Sequence, residues 1–398
     1  MKNLNQTGKT LIDIMKIVYC LIDSSKAGGM ERSICSKANY LADEAGYDVT
    51  IITTDRRNKP NFYEFSPNIK FIDLGIGYDK LDSMPFLSKL TTQIKKMKTH
   101  KEKLIKILFS IKPDITISTY THELSILPRI KDGSKKIAEI HFSKAYKKIE
   151  YSNHSKLSLK RIFTLIADRR KQWFLRKYDS VVVLTRADKE LCQNLPKVEA
   201  IPNMVPFYPD EKSNCEQKQI ISVGRLTFIK GYNLLIDAWS KIAQKYPDWQ
   251  LFIYGEGEDR LLLKREIGKK RLDSSVSILS ASHNIDAKYL NSSIYVMPSL
   301  VEGFGVVLTE AMACGLPCIS FDCPTGPAEI ITHGEDGLLV EYKNTDKLAE
   351  AISFLIEEKS LRKEMGENAR ENVRRFSPER IMPRWISLFQ QITGTSEY

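Results

Sequence analysis

Short runs of apolar and β-branched residues, each followed by a longer stretch with helical spacing, recur along this chain, and that alternation leaves few folds open. Strands apolar on both faces must be covered on both, and a parallel neighbour is reached only through a crossover, usually a helix. In the first part the strand candidates are residues 16–22, 49–53, 115–120, 137–141, 180–184 and 198–201. Between them, Ile34, Ala38, Leu41 and Ala42 mark a helix over 30–45, and Leu90, Ile94, Met97, Leu104, Ile105 and Leu108 mark another. Residues 206–218, rich in Pro, Asn and charge, read as a linker. The pattern then restarts, with strands expected at 219–223, 250–254, 276–279, 294–297, 317–321 and 338–340. The expectation is an α/β protein of two doubly wound parallel sheets, with domains at 1–205 and 206–377. A length of 398 residues, more than one core usually organises, agrees with two. Helical stretches at 347–357, 361–375 and 378–391 have no strand after them, and the terminal one, about 378–398, is expected to cross back onto the first domain. In such sheets ligands lie beyond the carboxyl ends of the strands, so a cleft between the two is the expected site.

Charge narrows the partners. Lys and Arg number 60 against 49 Asp and Glu, a formal +11, but residues 1–205 carry +15 and the rest −4. Residues 89–177, with 23 basic and seven acidic side chains, hold the whole excess. Nucleic acid, anionic lipid and phosphorylated substrates all suit such a surface. Within it, residues 156–177 combine eight basic residues with Leu159, Ile162, Phe163, Ile166, Trp173 and Phe174. A basic amphipathic helix with aromatics suits an anionic membrane surface, and a helix with a solvated outer face reads the same way. The composition, 42% hydrophobic and 27% charged, excludes a disordered or fibrous chain. The apolar run at 11–22 is broken by Asp13 and Lys16 and has no small-residue cleavage site, so neither a signal peptide nor a membrane span is expected, and the cytoplasm is. Seven scattered cysteines point to reduced thiols, and the gaps between Cys314, Cys318 and Cys323 do not suit zinc.

Three strand-to-helix loops concentrate residues that can carry chemistry. Gly28-Gly29-Met30-Glu31-Arg32 opens a helix, where paired glycines admit an anion to unsatisfied N–H groups. It is not the Gly-x-Gly-x-x-Gly of dinucleotide folds, which disfavours a nicotinamide cofactor. The second loop runs from Gly224 through Arg225 and Lys230 to Gly231 and offers two cations to a diphosphate. The third runs from Ser299 through Glu302, Gly303, Phe304, Gly305 and Val306 to Glu310. Glu310 lies a rise of about 7 Å into the helix from Gly305. The two carboxylates are thus placed to hold hydroxyls at separate points of a long ligand.

Together these elements resemble the family-4 glycosyltransferases, retaining enzymes of the GT-B fold, in which two Rossmann-like domains face a central cleft. The resemblance spans nearly the whole chain and is most specific from Ile221 to Val340, where Glu302 and Glu310 match the Glu-x7-Glu element. Ile201-Pro202-Asn203, Tyr254-Gly255-Glu256-Gly257, Gly326-Pro327-Ala328-Glu329 and Gly337-Leu338-Leu339-Val340 match in order. The resemblance implies that Arg225 and Lys230 neutralise the diphosphate of a nucleotide-sugar, that Glu310 holds the ribose and that Glu302 holds the donor sugar. It further implies that Gly303, Phe304, Gly305 and Val306 offer backbone amides, that Gly28, Gly29 and Gly224 border the phosphates, and that His141 faces the reacting centre. No metal or other cofactor is expected, in keeping with the absence of any Asp-x-Asp triplet. Glu256 stands where aspartate is common and residues 280–284 are unusual, so the nucleotide stays open. Asp322-Cys323-Pro324-Thr325-Gly326-Pro327 resembles transferases that use UDP-hexoses or UDP-N-acetylhexosamines, over GDP-mannose. The implied acceptor is a glycan or polyprenyl-diphosphate-linked glycan of a bacterial envelope polymer such as capsule or lipopolysaccharide, with the enzyme peripheral on the inner face of the plasma membrane. A nucleotide-sugar 2-epimerase shares the architecture. A nucleic-acid binder is disfavoured, since it leaves Glu302, Glu310 and the glycine turns unexplained.

Overall fold

The computed structural model describes residues 14–81, 85–145 and 159–395, and among them every paired strand is parallel to its neighbours. The first sheet contains β1 (Lys16–Leu21), β2 (Asp48–Thr53), β3 (Lys70–Asp73), β4 (Ile115–Ser118), β5 (Lys135–Ile140), β6 (Ser180–Val183) and β7 (Val198–Ala200). Its order is β3-β2-β1-β4-β5-β6-β7. The second contains β8 (Gln219–Val223), β9 (Gln250–Tyr254), β10 (Val276–Leu279), β11 (Ile294–Met297), β12 (Cys318–Phe321) and β13 (Gly337–Val340), in the order β10-β9-β8-β11-β12-β13. Two doubly wound parallel sheets are therefore present, as the alternation predicts.

Side-chain alternation along β1 shows why its apolar run must be buried twice. Ile17, Tyr19 and Leu21 enter one apolar cluster, while Val18 and Cys20 enter another on the opposite face. The first of these clusters continues through Tyr295, Phe304 and Leu308 of the second half, so the two halves share a core. No strand is expected at 70–73, yet β3 forms there at the sheet edge, paired to β2 from Thr50↔Lys70 to Thr53↔Asp73. Its four residues, Lys-Phe-Ile-Asp, offer only two apolar side chains, Phe71 to one cluster and Ile72 to the other, and neither is fully buried.

Residues 206–218 form neither helix nor strand, as a linker should, but they are pinned. The Arg370 guanidinium donates to the carbonyls of Pro209, Asp210 and Glu211, and Arg362 Nε donates to Cys215 O at 3.0 Å. The terminal helix Pro378–Thr393 buries Ile381, Met382, Trp385, Leu388 and Phe389 in the cluster that holds Ile17 and Tyr19. Lys37 Nζ sits 4.3 Å from the Trp385 ring centre, and Arg384 donates to Ala200 O, so this helix lies against the first half. All seven cysteines are unpaired and buried.

The basic segment is built from two helices whose apolar faces are only partly covered. In Phe86–Ile111, Leu104 and Leu108 are buried, whereas Leu90 and Ile94 remain exposed, Ile94 by 63%. In Leu159–Leu175, Phe174 and Leu175 are buried while Ile166 and Trp173 are 58% and 49% exposed. Residues 156–158, and the side chains of Leu159, Ile162 and Phe163, lie outside the described residues. Among the described residues no helix is long and apolar enough to cross a membrane.

Candidate functional site

Strand order reverses between β1 and β4 in the first sheet and between β8 and β11 in the second, and a crevice opens at such a point. The loops after β1, β8 and β11 are the three singled out above, so the fold brings them to these two crevices. In the first, Gly28 is the N-cap and Gly29 the first residue of helix Gly29–Asp43. Glu31 and Arg32 follow in its first turn. Burial pushes the Glu31 carboxyl above its usual range, and the charges of Arg225 and His141 oppose that rise.

The loop after β8 is held from behind. Gly224 N–H donates to Tyr254 O and Leu226 N–H to Glu256 O, so the Tyr254-Gly255-Glu256-Gly257 motif buttresses this loop. Arg225 is left exposed. Lys230 ends the short turn Phe228–Lys230, and its Nζ lies 2.6 Å from Glu302 Oε1. Ser299 Oγ donates to the same carboxylate oxygen at 2.6 Å, and Thr325 Oγ1 donates to Glu302 O.

Beyond Glu302 the chain passes very close to the other half. A Cβ at Gly303 would collide with the His141 carbonyl oxygen, so only glycine allows this approach. Gly305, at φ +107°, caps helix Val306–Ala313, whose N-terminus presents unsatisfied N–H groups at the cleft. The Phe304 side chain is buried 5.3 Å from the Phe376 ring centre, and Val306 is buried too, which leaves both only their backbone to offer. Glu310 accepts from Tyr289 OH at 3.1 Å through Oε2, and Arg32 Nε stands 3.2 Å from Oε1. Burial raises the Glu310 pKa, while Arg32 and Tyr289 oppose that rise.

His141 follows β5 directly and is buried, with Nε2 3.1 Å from Glu139 Oε1. Glu139 also pairs with Lys37, and both are fully buried. Burial alone would raise the Glu139 carboxyl, but the charges of Lys37 and His141 outweigh it and hold the group at about 2. Asn203 is tied to the first helix by Ser33 Oγ, which donates to its side-chain oxygen. Two further contacts join the halves. The Phe62 and His283 rings stack at 4.2 Å, and Ala187 N–H donates to Glu329 Oε1 at 3.1 Å.

The fold thus brings Gly28, Gly29, His141, Gly224, Arg225, Lys230, Glu302, Gly303, Gly305 and Glu310 to one cleft. Lys37, Glu139, Tyr289 and Phe62 are additions that motif reading misses, and Arg32 stands in the first loop's motif without an expected role. Glu139 was within reach, because residues two apart on a strand share a face and His141 continues that strand. Among the described residues no group of three or more His, Cys, Asp or Glu is placed to hold a metal ion. A surface groove of about 540 Å³ beside β13, lined by His333, Leu338 and Phe354, shares none of the cleft residues. Two cations, a helix N-terminus, two carboxylates and an imidazole around one cleft can hold an anionic group together with the hydroxyls on either side of it.

The family model described as Glycosyl transferases group 1 matches residues 208–372, and that of Glycosyltransferase Family 4 matches residues 27–207. An uncharacterized glycosyltransferase of Haemophilus influenzae is 30% identical over 375 residues, 93% of this chain and 98% of that protein. The amylovoran biosynthesis glycosyltransferase AmsD of Erwinia amylovora is 35% identical over 217 residues, 52% of this chain and 61% of its own. Among solved structures, a TarM variant of S. aureus, determined in complex with fondaparinux, α-GlcNAc-glycerol and UDP, superposes with a TM-score of 0.76. At 16% identity over 94% of this chain and 100% of that one, this likeness is one of fold.

Proposed function

The chain belongs to the family-4 glycosyltransferases of group 1, with the GT-B fold, and from that premise we propose a retaining enzyme that moves a hexose or N-acetylhexosamine from a UDP-sugar to a glycan. The observation that carries this reading is the Lys230–Glu302 contact at the mouth of helix Val306–Ala313, one residue before Gly303, whose backbone lies against the His141 carbonyl. A cation and a carboxylate held side by side suit the junction of a single ligand where an anionic diphosphate meets a hydroxylated sugar. In this reading residues 206–377 hold the nucleotide-sugar and residues 1–205 the acceptor.

Arg225 and Lys230 neutralise the departing diphosphate, helped by the N–H groups that open helix Val306–Ala313. Glu302 accepts from donor-sugar hydroxyls, Glu310 from the ribose, and Glu139 orients His141 toward the reacting centre. The departing phosphate itself accepts the proton of the attacking hydroxyl, so no side chain is assigned as base. Two cations in one loop make a divalent metal unnecessary, and turnover is expected to persist in EDTA. Uridine is favoured by Asp322-Cys323-Pro324-Thr325-Gly326-Pro327 and by the UDP bound to TarM, and envelope polysaccharide by the amylovoran role of AmsD. The exposed Leu90, Ile94, Ile166 and Trp173 among the basic residues of 89–177 support a peripheral enzyme on an anionic membrane, extending a polyprenyl-diphosphate-linked acceptor. A thermal-shift screen of nucleoside diphosphates tests the donor half of this reading. UDP is expected to raise the melting temperature, and no response to any nucleoside diphosphate contradicts it.

A further inference from the structure

We propose that Arg32 is a donor-binding residue supplied from the acceptor side of the cleft, and that with Glu310 it reads the ribose diol of the nucleotide-sugar. The proposal rests on the reading of Glu310 as the ribose ligand. Arg32 and Glu310 lie on helices Gly29–Asp43 and Val306–Ala313, which pack on different sheets, and they meet at 3.2 Å. Glu310 Oε2 is already occupied by the Tyr289 hydroxyl at 3.1 Å. Oε1, the oxygen beside Arg32, keeps a lone pair for a ribose hydroxyl, so a ribose can bond there and leave the Tyr289 bond intact.

The chemistry of the pair matches a vicinal diol. Each hydroxyl both donates and accepts, whereas a carboxylate only accepts and a guanidinium only donates. Glu310 alone leaves the diol oxygens without a donor, and Arg32 supplies one. Its Nε is buried and makes no well-formed hydrogen bond, so the contact with Glu310 is an ion pair rather than a satisfied donor. The guanidinium is also held in place, lying 4.8 Å from the Tyr63 ring centre and 5.0 Å from that of Phe207. A cation fixed between two rings loses little freedom on binding a ligand. Ribose held by both groups ties the two halves of the cleft together at the nucleoside.

The test is calorimetric titration of the full chain with UDP and with 2′-deoxy-UDP, and with GDP and 2′-deoxy-GDP if UDP does not bind. Arg32→Met keeps the packing between Tyr63 and Phe207 while removing the donors. The native chain is expected to prefer the ribose form by about tenfold or more, the size of a charge-assisted hydrogen bond. Arg32→Met is expected to lower affinity for the ribose form by a similar factor and leave the deoxy form nearly unchanged, so that the preference collapses. Arg32→Lys, which keeps the charge but not the fork, is expected to recover only part of it. A purely structural Arg32 would weaken both nucleotides alike, and that result overturns the proposal. If Glu310→Gln abolishes the preference and Arg32→Met retains it, the role of Glu310 stands and that of Arg32 falls. If the native chain binds no nucleoside diphosphate, or binds both forms equally, both roles fall together.

Discussion

Glu302 is held before any ligand arrives: Lys230 and Ser299 fix its carboxylate, and Thr325 fixes its backbone. A side chain positioned this firmly loses little freedom when a sugar docks, so its removal is expected to act on transfer rather than on folding. Glu302→Ala and Lys230→Ala are each predicted to cut turnover by about 100-fold or more with an unchanged circular dichroism spectrum. Near-native turnover in either removes that residue from the site. Gly303→Ala probes a different constraint, because the added methyl meets the His141 carbonyl and both sides of that contact are backbone. Loss of transfer in the Ala variant, with UDP still bound by the second half, is the expected outcome of kinetic and binding assays. The glycines and charges of the three loops were legible because each is local, a residue type at a strand-to-helix junction. Arg32 beside Glu310, and Phe62 on His283, were not, since the partners of each pair are distant in sequence and meet only when two sheets face each other.

Single elements carry their own tests. Helix Pro378–Thr393 was legible from its apolar spacing, and its lack of a following strand hinted at a role outside the second sheet. Its fully buried Trp385 also covers Lys37, so Trp385→Ala is expected to destabilise the chain by about 3–5 kcal/mol in urea unfolding. Strand β3 was not legible, because an edge strand of four residues with charged ends offers no period to read. Helix Phe86–Ile111 contains a pH-sensitive feature. Burial and the neighbouring His122 push the His100 ring from 6.5 down to about 4, and Nδ1 shares a hydrogen bond with Tyr78 OH at 3.0 Å. With the folded pKa below the unfolded one, this stabilisation is complete above pH 6.5 and is lost as pH falls toward 4. For one group the loss amounts to about 3 kcal/mol. Urea unfolding at pH 7 and pH 4 should show His100→Gln with a shallower pH dependence than the native chain, and an unchanged slope refutes the assignment.

At the scale of the molecule, two parallel sheets place their switch points in one cleft, and charge is divided between the halves to match the two substrates. The donor diphosphate meets a few cations in a half whose net charge is −4, while the +16 of residues 89–177 lies in the other. Binding to anionic liposomes at low salt, lost at high salt and weakened by Ile166→Glu or Trp173→Glu, is the expected behaviour in sedimentation. Absence of binding at low salt leaves the basic helices merely solvated. The two-sheet architecture and the return of the terminal helix could be read from alternation, but the shared core between the halves emerged only from the fold. The Lys230–Glu302 cleft is expected to transfer a sugar with retention from a nucleotide donor. Proton NMR of the chain incubated with UDP-hexoses and no acceptor tests it most directly. Slow release of UDP with the α-anomer of the free sugar appearing first, and no release by Lys230→Ala, is the predicted result. Conversion of the donor to its C2 epimer, or release that survives Lys230→Ala, would contradict it.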